Sequence, residues 1–157
     1  MGLFRSDKII ITLDKNNFIP GEIIKGKISL DFKKPVFVKK LTVTLKGFIE
    51  TQYRGALQTK PNPKGPYNLE VFRYDKNLSY EGEYQSEKLF FEIEIPENII
   101  EQSNIPKKNG TTVGNMINKF NDSIYQNSPL VWCIIVNLDI PKKLDINEIQ
   151  EITISKN

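Results

Sequence analysis

The run Ile24-Lys25-Gly26-Lys27-Ile28-Ser29-Leu30-Asp31-Phe32 puts an apolar or small residue at every even position and a polar one at every odd position. Period two marks a half-buried β-strand, because successive side chains of an extended backbone point to opposite faces. The same rhythm recurs on either side of this run. Leu41, Val43, Leu45 and Ile49 share one phase, with Lys40, Thr42, Thr44 and Lys46 in the other. Leu89, Phe91, Ile93 and Ile95 alternate with Lys88, Glu92 and Glu94, and only Phe90 breaks the polar row. Trp132, Ile134, Val136, Leu138 and Ile140 form a further row whose opposite face, Val131, Cys133 and Ile135, is also apolar. Apolar rows on both faces predict a central strand covered on both sides. Shorter runs at 8–13, 69–74 and 149–154 bring the number of expected strands to about seven.

Turn residues separate these runs. Asn16-Asn17 and Pro20-Gly21 lie between the first two, Lys33-Lys34-Pro35 between the second and third, and Pro96-Glu97-Asn98 closes the fifth. Repeated strands with turns and little helical period predict an all-β fold, an immunoglobulin-like antiparallel β-sandwich. One short helix is expected within 111–124, where Val113, Met116, Ile117 and Phe120 recur at three- and four-residue spacing. The 157 residues fit a single domain, 1–157, with long loops at 54–67 and 101–128. Loops of that length in a small domain are frequently functional.

Composition narrows the chemistry. The chain has no histidine and one cysteine, Cys133. That removes Ser-His-Asp and Cys-His nucleophilic sites, the usual zinc-ligand sets, haem held by histidine and any intrachain disulfide. No Gly-rich phosphate loop is present, and the acidic pairs Glu81/Glu83 and Glu92/Glu94 sit at strand spacing, so a non-enzymatic protein without cofactors or metals is expected. Cys133 stands in the most apolar run and reads as a packing residue.

The net charge of +3 is unevenly placed. Residues 1–48 hold ten basic side chains against four acidic ones, while the remainder is acidic on balance. A basic first third attracts an acidic partner or an anionic lipid surface, although solvated strand faces account for it equally well. No run of like charge is long enough for a nucleic-acid arm. No segment approaches the ~20 apolar residues that cross a bilayer, and no apolar stretch follows the start, so a cytoplasmic protein is expected. The start, Met1-Gly2-Leu3-Phe4-Arg5-Ser6, fits the acceptor pattern for N-myristoylation at Gly2.

Several of these segments carry a family resemblance. The run from Ile11 to Ile28, with Leu13-Asp14, Phe18, Pro20-Gly21-Glu22, Ile24 and Gly26, resembles the opening of the arrestin N-terminal domain, especially its arrestin-domain-containing (alpha-arrestin) branch. Val38, Lys40-Leu41, Val43, Leu45 and Gly47 resemble the next strand of that family. Leu89-Phe90-Phe91-Glu92-Ile93-Glu94-Ile95-Pro96 and Val131 through the corner Leu138-Asp139-Ile140-Pro141 are similar to two later ones, in the same order.

The resemblance implies a single arrestin N-lobe. Its function would be that of an adaptor binding cytoplasmic tails of membrane proteins, phosphorylated ones included, in trafficking, endocytosis or signalling. By the same resemblance, the loop after the third strand faces the partner, which singles out Arg54, Lys60, Lys64 and Tyr67. Lys8 and Lys15 fall near the family's phosphate-sensing positions. The sequence departs from the family in length, which supplies one lobe where two are usual, and in lacking a PPxY motif. A single lobe is open to homodimer formation through the face its twin would cover. The alternative is a peripheral protein that binds anionic lipid through its basic face and an acylated Gly2.

Overall fold

The computed structural model describes residues 8–50, 68–78, 81–103 and 130–155. Eight strands and one helical turn follow in chain order: β1 (Lys8–Leu13), β2 (Asn17–Phe18), β3 (Ile23–Val38), β4 (Lys40–Glu50), β5 (Asn68–Asn77), β6 (Gly82–Glu94), α1 (Ile99–Gln102), β7 (Leu130–Asp139) and β8 (Ile146–Ile154). They form two sheets, three-stranded in the order β1-β3-β6 and five-stranded in the order β2-β8-β7-β4-β5. Every pairing is antiparallel except that of the two-residue β2 with β8. The fold is the expected immunoglobulin-like β-sandwich.

The alternation explains the packing. Ile24, Ile28 and Leu30 of β3, with Phe91 and Ile93 of β6, meet Leu41, Val43 and Leu45 of β4 and Trp132, Ile134, Val136 and Leu138 of β7 in one buried core. Two glycines are required by this contact. A Cβ at Gly26 would lie 2.4 Å from Phe91 Cζ, and one at Gly47 would lie 2.5 Å from Trp132 Cζ3. Each leaves room for an aromatic ring, the close approach that favours glycine inside a strand.

Pro20-Gly21 forms the turn into β3. Gly21 takes a φ of 92°, a conformation costly for residues with a Cβ. Its N–H donates to Ile95 O at 2.9 Å, while Ile95 N–H donates to Glu22 O at 2.8 Å, so the turn is clamped to the end of β6.

The central strand is β7, flanked by β4 and β8, and both of its faces are buried. Val131, Cys133 and Ile135 gather with Phe48 into a second cluster on the outer side of the five-stranded sheet, with Ile149 packed against it.

One expectation needs correction. Lys33-Lys34-Pro35 is not a turn between strands: β3 runs through it to Val38, and its register with β6 shifts between Asp31 and Val36. An irregular stretch on a strand accommodates a proline, which has no N–H to give to the ladder. The chain instead changes sheet at Lys39, whose N–H donates to Asp139 O at 2.8 Å. Strand β6 begins at Gly82, well ahead of the apolar run, because its first half is paired to β3 with mostly exposed side chains. The helical turn found among the described residues is α1, anchored by buried Ile99 just after the Pro96-Glu97-Asn98 turn. The helix expected at 111–124 lies outside the described residues, as do the loop 54–67 and the part of 101–128 beyond Ser103.

Candidate functional site

Two of the residues singled out from sequence are described. Lys8 opens β1, is exposed, and stands directly across from Asp31 of β3. Lys15 follows the end of the same strand. Its ammonium lies 2.7 Å from Glu22 Oε1 and 5.2 Å from the centre of the Phe18 ring. The second Glu22 oxygen accepts the Ile19 N–H at 2.9 Å. The Lys15 hydrogen bond, and then the Ile19 N–H, hold the Glu22 carboxyl below its ordinary value.

The two lysines are therefore not brought together. Lys8 opens β1, and Lys15 lies past the other end of that strand, beyond a bend at Asp14. Each also has an acid across from it or against it. Arg54, Lys60, Lys64, Tyr67 and Gly2 lie outside the described residues.

The structure adds a surface that the sequence reading passed over. The outer face of the three-stranded sheet exposes Ile10, Ile23, Phe37 and Phe90, the last at 72%. Lysines are interspersed with them. Lys27 sits between Thr12 and Phe90, Lys25 opposite Glu92, and Lys88 opposite Ser29. Isolated exposed apolar residues are ordinary, but several on one sheet face, mixed with cations, suit a protein contact. The signal was visible in the sequence as the one apolar residue, Phe90, in the polar row of its strand.

On the other sheet a polar cluster spans β4 and β5. The Thr44 hydroxyl lies 2.5 Å from Asp75 Oδ1, and Arg73 bridges Glu70 and Asp75 at 3.1 Å each. Lys46, only 7% exposed, reaches Glu70 at 3.7 Å. Burial opposes the Arg73 charge, yet the hydrogen bonds to Asp75 and Glu70 outweigh it and raise its pKa. Beside this cluster, burial pushes the Cys133 thiol up to about 12 despite the nearby Lys46 charge. Such a thiol is a packing group, not a nucleophile at neutral pH. Among the described residues no group of three or more His, Cys, Asp or Glu side chains is placed to hold a metal ion, and no helix among them is long and apolar enough to cross a membrane.

No protein-family model matches the sequence, and no curated protein matches it. Solved structures do. Spo0M, the sporulation control protein of Bacillus subtilis, superposes at a TM-score of 0.57 with 12% identity, over 97% of this chain and 50% of that one. This chain thus spans about half the length of Spo0M. Spo0M has an arrestin-like fold, and the likeness makes this chain an arrestin-like β-sandwich. At such identity it shows the fold alone. A β-glucosidase of Listeria innocua, in complex with gluconolactone, matches at a TM-score of 0.34 and 8% identity, over 95% of this chain and 16% of that one.

Proposed function

We propose that the chain is a non-enzymatic adaptor module of the alpha-arrestin type that binds cytoplasmic segments of membrane proteins for trafficking or signalling. The observation that carries this reading is an arrestin-like sandwich whose three-stranded sheet turns an exposed face of apolar and lysine side chains outward. A rigid two-sheet frame presenting such a face supports recognition of another chain. The lipid reading needs uncompensated cations, which this face offers at Lys27 and Lys88 but not throughout. On this face Lys8 stands across from Asp31 and Lys25 across from Glu92.

In the reading's phosphate-sensing form, Lys8, Lys15, Arg54, Lys60, Lys64 and Tyr67 contact a phosphorylated tail. Lys15 must then exchange Glu22 for the phosphate, a charge-assisted contact of the same kind. The test is capture of matched phosphorylated and unphosphorylated cytoplasmic-tail peptides by the full chain, at two salt concentrations. Capture that prefers the phosphorylated form, weakens with salt and is lost on neutralising Lys8, Lys15, Lys60 and Lys64 supports it. Sedimentation with anionic vesicles in the absence of peptide, with no tail captured, overturns it in favour of the lipid surface.

A further inference from the structure

Among the described residues, strand β6 is an edge of its sheet, with β3 on one side. Ile95, just past its end, exchanges hydrogen bonds with Gly21 and Glu22 on the β3 side. In an antiparallel ladder, alternate residues face the neighbouring strand. The odd-numbered residues of β6 that precede Ile95 therefore turn their backbone groups toward β3. Those of Lys88, Phe90 and Glu92 point away from the sheet. One contact confirms the phase: Lys76 Nζ of β5 donates to Glu92 O at 2.8 Å from the side away from β3.

Next to this edge lies a ledge. Register places Tyr74 opposite Leu45 and Phe72 opposite Gly47, on the inner face of the five-stranded sheet. Inner-face residues of a sandwich are normally covered, yet Tyr74 is 46% exposed. Among the described residues five strands face three, with β1 packed against β8 at the far side. Strand β5 then projects past β6. Together the β6 edge and the β5 ledge frame a trough, with backbone groups along its wall, of which Glu92 O already accepts from Lys76, and the half-exposed Tyr74 beside it.

We propose that this trough takes an extended segment of a partner protein as a fourth strand of the three-stranded sheet, antiparallel to β6. Strand addition of this kind draws affinity from main-chain hydrogen bonds and specificity from alternate side chains. The wall defines those side chains. Lys88, Phe90 and Glu92 follow one another along the outer face. Directly opposed residues interact best when charges are opposite and apolar groups meet. An antiparallel partner must therefore read basic, x, apolar, x, acidic, with apolar residues at x to cover Tyr74. A second folded copy does not fit through the same edge, because its own β5 would enter the space that this ledge occupies. The inference goes beyond the adaptor reading and stands on the β6 edge alone, whatever the origin of the partner.

The experiment uses the full chain and three synthetic peptides, with Lys-Val-Phe-Val-Glu, its reverse Glu-Val-Phe-Val-Lys, or Lys-Val-Phe-Val-Lys at the centre. Binding is measured by titration, and the engaged strand by backbone amide hydrogen exchange. The forward peptide is expected to bind at least tenfold tighter than the reverse one, and to slow exchange at Lys88, Phe90 and Glu92. Lys88→Glu is expected to lose that preference and to gain at least tenfold for Lys-Val-Phe-Val-Lys. Lys88 and Phe90 are exposed, so Lys88→Glu and Phe90→Ser keep the fold, and Phe90→Ser weakens all three peptides. Equal binding of forward and reverse peptides, no added protection at those amides, or self-association of the chain that Phe90→Ser abolishes would overturn the proposal. Failure here leaves phosphopeptide capture through Lys8 and Lys15 untouched, since those residues lie on and beyond β1, the opposite edge.

Discussion

The outer faces of the two sheets begin from the same alternation and end differently. On the five-stranded sheet the outward row of β7 is apolar, and with Phe48 it is buried into a second cluster. On the three-stranded sheet the outward row is mostly polar, and its apolar members, Ile10, Ile23, Phe37 and Phe90, stay exposed. An outward phenylalanine thus carries fold stability on one sheet and is left for contacts on the other. Burial, not residue type, separates them, since the hydrophobic gain scales with the area taken from water.

Truncating the two phenylalanines is the strongest way to break this contrast. Phe48→Ala should destabilise by about 3–5 kcal/mol, the usual cost of emptying a buried aromatic site. Phe90→Ala should stay within about 0.5 kcal/mol, as for exposed positions. Urea denaturation of both variants checks it. Similar losses for the two would mean that the outer faces do not differ as described.

Cys133 reports on the same buried face without mutation. Its thiol is displaced from 9.0 to about 12. At pH 8 the native protein should therefore react with a thiol reagent about a thousandfold more slowly than the unfolded chain, on ionisation alone. The linkage sign follows from the upward shift. As pH rises from about 9 toward 12 the unfolded chain gives up this proton while the native state keeps it, so stability falls across that window. Labelling kinetics with and without denaturant provide the check; fast labelling of the native state would place Cys133 in solvent.

The inner faces differ less than the outer ones, because each sheet leaves a glycine under an aromatic ring. Gly47→Ala drives a methyl into Trp132 and should cost about 1–3 kcal/mol, the range for overpacking. In a Trp132→Leu background the same substitution should cost less, a coupling that a double-mutant cycle measures. Gly26→Ala meets Phe91 and Leu13 in the same way. Additive effects for Gly47 and Trp132 would mean that the ring is free to move aside.

Much of this was legible in the sequence, and the reasons are local. The doubly apolar rows of β7 gave away a central strand, and Pro20-Gly21 a turn requiring positive φ. Lys33-Lys34-Pro35 misled because its residues have turn chemistry, while the pairing of β3 with β6 on both sides of it carries the strand through. Strand β2 is two residues long and exists only because β8 lies beside it. The distribution of five strands against three, and with it the Tyr74 ledge, depends on which edges meet in space. No period within a strand encodes that. For the candidate site, sequence offered Lys8 and Lys15 as a pair. Strand β1 separates them, and Glu22, seven residues on from Lys15, already occupies the second of them.

That last pairing gives the smallest effect, on the turn that leads into the three-stranded sheet. Glu22 is held below its ordinary carboxyl value by Lys15 and by the Ile19 N–H, so its ionised form favours the native state. The contribution is fully present above the ordinary value of 4.5 and is lost as pH falls through the lowered native one. Glu22→Gln should lower the melting temperature slightly at pH 7, and the difference from the parent chain should shrink as the solution is acidified. The same substitution releases Lys15 from its carboxylate, which should strengthen attraction to a phosphorylated peptide at low salt, where screening is weakest. Stability and anion capture are therefore expected to move in opposite directions. If both fall together, Lys15 serves the turn and not a partner, and the phosphate-sensing role must rest on other cations.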